Sequence, residues 1–142
     1  MKTVGDVNVL FALLVSGHVH HVRAWQWWQA LPDDSLAVCW LTRLGVLRLL
    51  TNSKAMNNQS LSNVDALNAW NIFALDPRTF ESEPEASHES LFRHFVIGRQ
   101  PSPNLWSDAW LAAHAESHGW RMTSFDADFR SFALTDFEHL RP

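Results

Sequence analysis

The stretch TVGDVNVLFALLV, residues 3–15, decides how the rest of the chain is read. Residues 2–5 predict a short strand that ends at Asp6. Asp6 and Asn8 then offer helix-capping oxygens ahead of the apolar run VLFALLV. The order is strand, acid, helix. It recurs near the other end, where residues 120–124 predict a strand that runs into Phe125-Asp126-Ala127-Asp128.

Between these two points the chain alternates. Residues 18–30 predict an amphipathic helix with His21, Trp25 and Trp28 on one stripe, ended by Leu31-Pro32. Residues 35–39 predict a compact strand behind a Pro-Asp-Asp turn. Residues 42–51 carry Leu44, Val46, Leu47, Leu49 and Leu50, a helix apolar enough to be sandwiched between layers. Residues 62–73 form a helix with Ser62 as N-cap and Asp65 as its capping-box partner. Residues 78–81 read either as a strand or as part of a loop, and residues 87–96 as a helix. Ser102-Pro103 precedes an Ala-rich helix over residues 106–117, stopped by His118-Gly119. Alternation of this kind predicts an α/β fold with a central parallel sheet and helices on both faces. No linker or internal repeat interrupts it, so residues 1–142 are expected to form one domain.

Composition supports a packed core. The chain has 142 residues, 46% of them apolar and 18% charged, with 5 Gly and 6 Pro, which excludes disordered, collagen-like and repeat architectures. A chain of this size buries roughly two thirds of its unfolded surface without disulfides. Cys39 is the single cysteine, so neither an internal bridge nor a paired-cysteine metal knuckle is available, and a cytoplasmic location is expected. The apolar stretch 9–15 is too short to span a membrane, and no signal-peptide pattern surrounds it. Net charge is −4, so no global basic field draws the chain to nucleic acid, and any such contact must be local. The crowded Trp25, Trp27, Trp28 and Trp40 suit an interface as well as a core.

Three acids then call for explanation. Asp108 aligns at helical spacing with Leu111, Ala112 and Ala115, the face expected to pack inward, where a lone carboxylate is costly. Asp6 and Asp126 each close a strand. If those strands are neighbours, the three acids meet at one sheet edge, where their mutual repulsion raises at least one pKa unless a divalent ion neutralises them. Magnesium suits such a set: it binds oxygen at about 2.1 Å, keeps several waters, and needs only one or two direct carboxylates. Asp128 is placed to serve the same pocket, and Thr123 and Asn8 to orient water or a carboxylate. Each has a simpler role too, Asp6 as a cap, Asp126 and Asp128 in a turn, Thr123 and Asn8 on the backbone.

Other candidates carry less. His18, His20 and His21 lack a second ligand cluster at zinc spacing, and His114 and His118 form a two-ligand pair without the Glu of a metalloprotease motif, so all are expected at the surface. Arg43, Arg48, Lys54, Arg93 and Arg99 are candidate phosphate contacts if they share a face, and Trp106 and Trp110 are candidate stacking platforms for RNA bases.

The segments DVNVLFALL, LTRLGVLRLLTN, SPNLWSDAWLAAHA and TSFDADF, in that order along nearly the whole chain, resemble PIN-domain proteins, in particular the VapC-type toxins of bacterial toxin–antitoxin pairs. The resemblance implies a three-layer α/β/α domain and an endoribonuclease that depends on magnesium or manganese. It further implies an RNA substrate, restraint by a VapB-type antitoxin whose tail lies across the groove, and a homodimer. Asp6, Asp108 and Asp126 match the family's metal-binding acids, Asp128 an additional acid, and Thr123 a hydroxyl beside the site.

One departure stands out. The family commonly places a glutamate early in the helix after the second strand, yet residues 35–64 contain neither Asp nor Glu, and Arg43 occupies roughly that place. Arg43 there either weakens the metal site, grips an RNA phosphate, or pairs with Asp126 or Asp128 and impairs catalysis. Three readings follow: a metal-dependent ribonuclease toxin, a catalytically impaired PIN-like module that binds RNA or a partner, and a magnesium phosphatase on a related sheet.

Overall fold

A computed structural model describes all residues, 1–142. Five strands form one sheet: β1 (Thr3–Gly5), β2 (Leu36–Val38), β3 (Thr79–Glu81), β4 (Arg121–Ser124) and β5 (Phe137–His139). Their spatial order is β3-β2-β1-β4-β5, and every pairing is parallel. The ambiguous segment 78–81 is therefore a strand, held by registers such as Ala37 opposite Phe80. Strand β5 went unread in the sequence because its three residues are all half-buried and show no alternation.

Six helices cover the sheet: α1 (Val7–Leu14), α2 (His21–Gln29), α3 (Trp40–Leu50), α4 (Asn63–Ala74), α5 (His88–Val96) and α6 (Leu105–His118). Strand alternation divides the core in two. On β2, Leu36 and Val38 join Leu10, Trp28, Val46 and Trp70 beneath α1 to α4, whereas Ala37 joins Val4, Met122, Phe95 and Leu111 beneath α5 and α6. Two apolar layers on opposite faces of one parallel sheet make the three-layer α/β/α sandwich, and each fully buried Leu or Val contributes about 1.5–3 kcal/mol.

Local chemistry sets the helix ends. Ser62 accepts the Asp65 N–H at 3.1 Å, one half of the expected capping box. Gly119 takes φ of 70°, the left-handed conformation that stops α6. Gly45 matters for packing: a Cβ there would lie 2.7 Å from Val7 Cγ2, so glycine permits α3 to press against the start of α1, beside Asp6.

Two expectations fail on burial. Helix α3 is not sandwiched, since Trp40 and Leu44 are 53% and 56% exposed and only Thr42, Gly45, Val46 and Leu50 are buried. In α2 the inward residues are Ala24, Trp27 and Trp28, and Trp25 faces outward. Both helices lie on the outside of the sandwich, so their apolar residues exceed what one buried stripe can hold. No helix is long and apolar enough to cross a membrane.

Candidate active site

The sheet order reverses about β1, with β2 on one side and β4 on the other. A crevice at the carboxyl ends of such strands is the binding position of open parallel sheets. Asp6 leaves β1 at this point and caps α1. Its Oδ1 accepts the Val7 N–H at 2.7 Å and its Oδ2 accepts the Ser124 hydroxyl at 2.7 Å. Its own N–H donates to the Thr123 carbonyl at 2.9 Å, tying the acid to β4. Asp126 follows β4 and caps the short 3-10 turn Ala127–Phe132 by accepting the Asp128 N–H at 2.9 Å. Asp108 sits in the first turn of α6, one turn before the buried Leu111 and Ala112.

These three carboxylates, from the beginning, the last third and the end of the chain, line one cavity of about 540 Å³. None of them is in an ion pair. Burial pushes the Asp6 carboxyl up to about 6, opposed by its hydrogen bonds from Ser124 and Val7 and aided by the charge of Asp126. Burial likewise pushes Asp108 up to about 7, reinforced by the charges of Asp6, Asp126 and Asp128. The cavity thus gathers three carboxylates whose like charges raise the pKa of Asp6 and Asp108 and which form no ion pair.

No three His, Cys, Asp or Glu side chains are grouped tightly enough to cage an ion by themselves. The donors are all hard carboxylate oxygens around an open cavity. This suits a hydrated divalent ion, which takes one or two carboxylates directly and reaches others through its waters, better than a closed zinc cage.

The remaining predicted residues divide. Asn8 braces the site: its Oδ1 accepts the Phe125 N–H at 3.3 Å and its Nδ2 donates to Ser124 Oγ at 3.3 Å. Thr123 is fully buried and turned away, with its hydroxyl 2.7 Å from that of Thr3 and 3.2 Å from Glu138 Oε1. The hydroxyl that reaches Asp6 belongs to Ser124, and it also accepts the Asp126 N–H at 2.9 Å. Successive residues of β4 point to opposite faces, and that period identifies Ser124 once Asp6 is placed. Asp128 lines a neighbouring cavity, of about 500 Å³, which also has Asp108 in its wall.

Arg43 is exposed and outside both cavities. The α3 cation that does line the acidic cavity is Arg48, along with Leu44 and Gly45. Arg99 lines the neighbouring cavity, Arg93 pairs with Glu89 at 2.9 Å, and Lys54 lines neither cavity. The proposed pairing of Arg43 with Asp126 or Asp128 does not occur.

The expected surface placement of the histidine pair on α6 is incorrect. His114 is wholly buried, with Nε2 2.8 Å from Ser82 Oγ, and His118 stacks on Trp120 at 3.8 Å between ring centroids. Aromatic rings around them replace solvent: Trp110 stacks on His114 at 5.3 Å. Trp110 is occupied in this way and Trp106, though 62% exposed, packs near Phe92, so neither tryptophan lines the acidic cavity. His18 does line it, with Nδ1 accepting the His20 N–H at 3.0 Å.

Comparison with known proteins agrees with this architecture. A model of the PIN domain matches residues 4–134. Ribonuclease VapC41 of Mycobacterium tuberculosis is 33% identical over 133 residues, which cover 89% of this chain and 90% of the relative. Among solved structures, the sarcin-ricin loop cleaving toxin VapC20 of M. tuberculosis superposes with a TM-score of 0.71 at 19% identity, covering 99% of this chain and 100% of the other. VapBC2 of Rickettsia felis, bound to a DNA fragment from its promoter, superposes with a TM-score of 0.70 at 12% identity, covering 99% and 100%. A match across most of the chain, together with a relative of this identity and coverage, makes the chain a member of the PIN-domain family, of the VapC type.

Proposed function

We propose that the chain is a divalent-metal-dependent endoribonuclease, the toxin of a VapBC-type pair, and that Asp6, Asp108 and Asp126 hold the ion. The observation that carries this reading is the convergence of three unpaired carboxylates, from segments distant in sequence, on one cavity at the sheet's switch point. The relatives named as VapC ribonucleases support the reaction class. Magnesium, or manganese in its place, is the ion that an all-carboxylate site with retained waters suits.

When bound, such an ion lowers the pKa of water and offsets charge on a phosphodiester under in-line attack. The chain's own residues prepare the site. Ser124 and the Val7 N–H fix both oxygens of Asp6, so that carboxylate is presented without reorganisation. The Asp128 N–H orients Asp126, and Asn8 holds the end of β4 so that Asp126 stays opposite Asp6. Asp108, raised to about 7, is the acid most easily protonated at neutral pH and therefore the one whose ionisation depends most on a neighbouring cation. Asp128 is a further acid on the far side of Asp108.

The reading extends to partners and place. Residues 1–142 act as one PIN-like domain, in the cytoplasm, as a homodimer whose acidic groove is covered by a VapB-type antitoxin. The alternative of an impaired module rests on a cation at Arg43 displacing an acid, and Arg43 does not face the cavity. The deciding experiment measures RNA cleavage by purified protein with and without added magnesium or manganese. Cleavage that needs the ion and vanishes in Asp108→Asn supports the assignment; ion-dependent cleavage that persists in that variant at matched purity removes it.

A further inference from the structure

We propose that Arg48 and Arg99 are phosphate-positioning residues on either side of Asp108, marking the path of a single RNA strand across the site. The proposal rests on the ribonuclease reading and adds to it the direction in which the substrate lies. Asp108 is a shared wall: it lines both the acidic cavity and its neighbour. Each cavity contains one Lys or Arg side chain, Arg48 in the first and Arg99 in the second. Arg48 thus shares a cavity with Asp6 and Asp126, Arg99 shares one with Asp128, and Asp108 belongs to both. A nucleic-acid strand carries one negative charge per nucleotide. A strand whose scissile phosphate meets the ion at the carboxylates therefore leaves its flanking phosphates needing cations on both sides.

Arg99 is built for such a contact. Its Nη1 donates to Ser131 Oγ at 2.8 Å, its Nη2 donates to the Ser131 carbonyl at 2.6 Å, and its guanidinium carbon lies 4.4 Å from the Phe132 ring centroid. These bonds use two of the five guanidinium N–H groups and fix the plane, leaving three donors for a ligand. No carboxylate pairs with Arg99, although Asp128 lines the same cavity. Arg48 makes no ion pair either, and it enters the acidic cavity beside the exposed Leu44. A guanidinium with unused donors can hold a phosphate through charge-assisted, bidentate hydrogen bonds, which are stronger than neutral ones.

The test compares the full-length wild type with Arg99→Gln, Arg48→Gln, Arg99→Lys and Ser131→Ala. Cleavage of a single-stranded RNA oligonucleotide and of a dinucleotide is followed at saturating magnesium over a salt series, alongside metal-free binding of the oligonucleotide. Arg99→Gln is expected to raise KM for the oligonucleotide roughly fivefold or more with kcat within about twofold. It should lower the slope of log affinity against log salt by about 0.7, the contribution of one single-strand phosphate. Arg48→Gln should behave likewise. Arg99→Lys should restore the salt slope, and Ser131→Ala should raise KM without changing it, which separates the charge from the stability of the loop. The dinucleotide, which has no phosphate beyond the scissile one, should lose less on Arg99→Gln than the oligonucleotide does.

Unchanged KM, binding and salt slope in Arg99→Gln, with an active wild type, overturn the strand path and leave the ribonuclease reading standing. An inactive wild type that still binds RNA with the predicted dependence on both arginines supports the path while the catalytic reading falls. Absence of both cleavage and binding removes both.

Discussion

Two halves of α6 bury an ionisable group each, six residues apart, with opposite results. Asp108 in the first turn is raised to about 7 and His114 in the last third is lowered to about 4, and burial is the largest cause in both. The difference is company and access. Asp108 opens on cavities, among acids of its own sign. His114 is walled by Trp110, Trp120 and His88, bonds to Ser82, and leaves Nδ1 without a partner. A perturbed pKa therefore does not mark a functional site by itself. A cluster of like charges that opens on a cavity and forms no ion pair points to a ligand, whereas a group enclosed by rings with no cavity beside it points to packing.

Substitutions in each half sharpen this contrast. The largest effect is expected from Asp108→Asn, which should reduce ion-dependent RNA cleavage by about a hundredfold or more, while His114→Gln, compared by the same assay, should retain cleavage within a few fold. Equal losses in both would break the distinction. Stability against pH comes next. His114 has a folded pKa below its unfolded value near 6.5, so its contribution is complete above pH 6.5 and drains as pH falls towards about 4. The slope is up to about 1.4 kcal/mol per pH unit inside that window, and urea titrations of His114→Gln should show a flatter profile there than wild type.

Asp108 has the opposite sign. Its folded pKa lies above the unfolded value of 3.8, so the stability carried by its protonated form is complete below pH 3.8, drains as pH rises, and is gone above about pH 7. Asp108→Asn should accordingly stabilise the metal-free protein at pH 8 by about 1–2 kcal/mol, after allowance for solvent at the open cavity, measured as a rise in Tm. A fall in Tm would mean that the carboxylate has a stabilising partner. The smallest effect is expected from Arg43→Glu, which should change metal affinity and cleavage by less than about twofold, because the residue faces solvent outside the cavity.

The same contrast explains what the sequence disclosed. Asp6 and Asp126 were legible because strand ends and cap residues are local features, and Asp108 because an acid on an Ala-rich inward face contradicts its surroundings. Ser124 was missed by one residue, since a three- or four-residue strand leaves its facing unsettled until a neighbour fixes it. Arg43 and Arg48 lie about 140° apart around a helix, so only the rotation of α3 against α1, set by the contact of Gly45 with Val7, decides which one enters the cavity. His114 and His118 looked exposed because the rings that enclose them come partly from α5 and from the segment after α6, which no local pattern connects. The α/β class came from alternation; the partners of each face came from tertiary packing.

Strand β1 precedes its neighbour β4 by all the helices of the fold, and Asp6 is tied to residues 123 and 124. During synthesis β1 can pair with β2 on one side only, and its other edge stays vacant until β4 has emerged. The acidic crevice consequently does not exist in a nascent form that stops short of β4 and Asp126. Any chemistry that depends on this crevice has to wait until residues 121–126 have been made and have folded back beside β1.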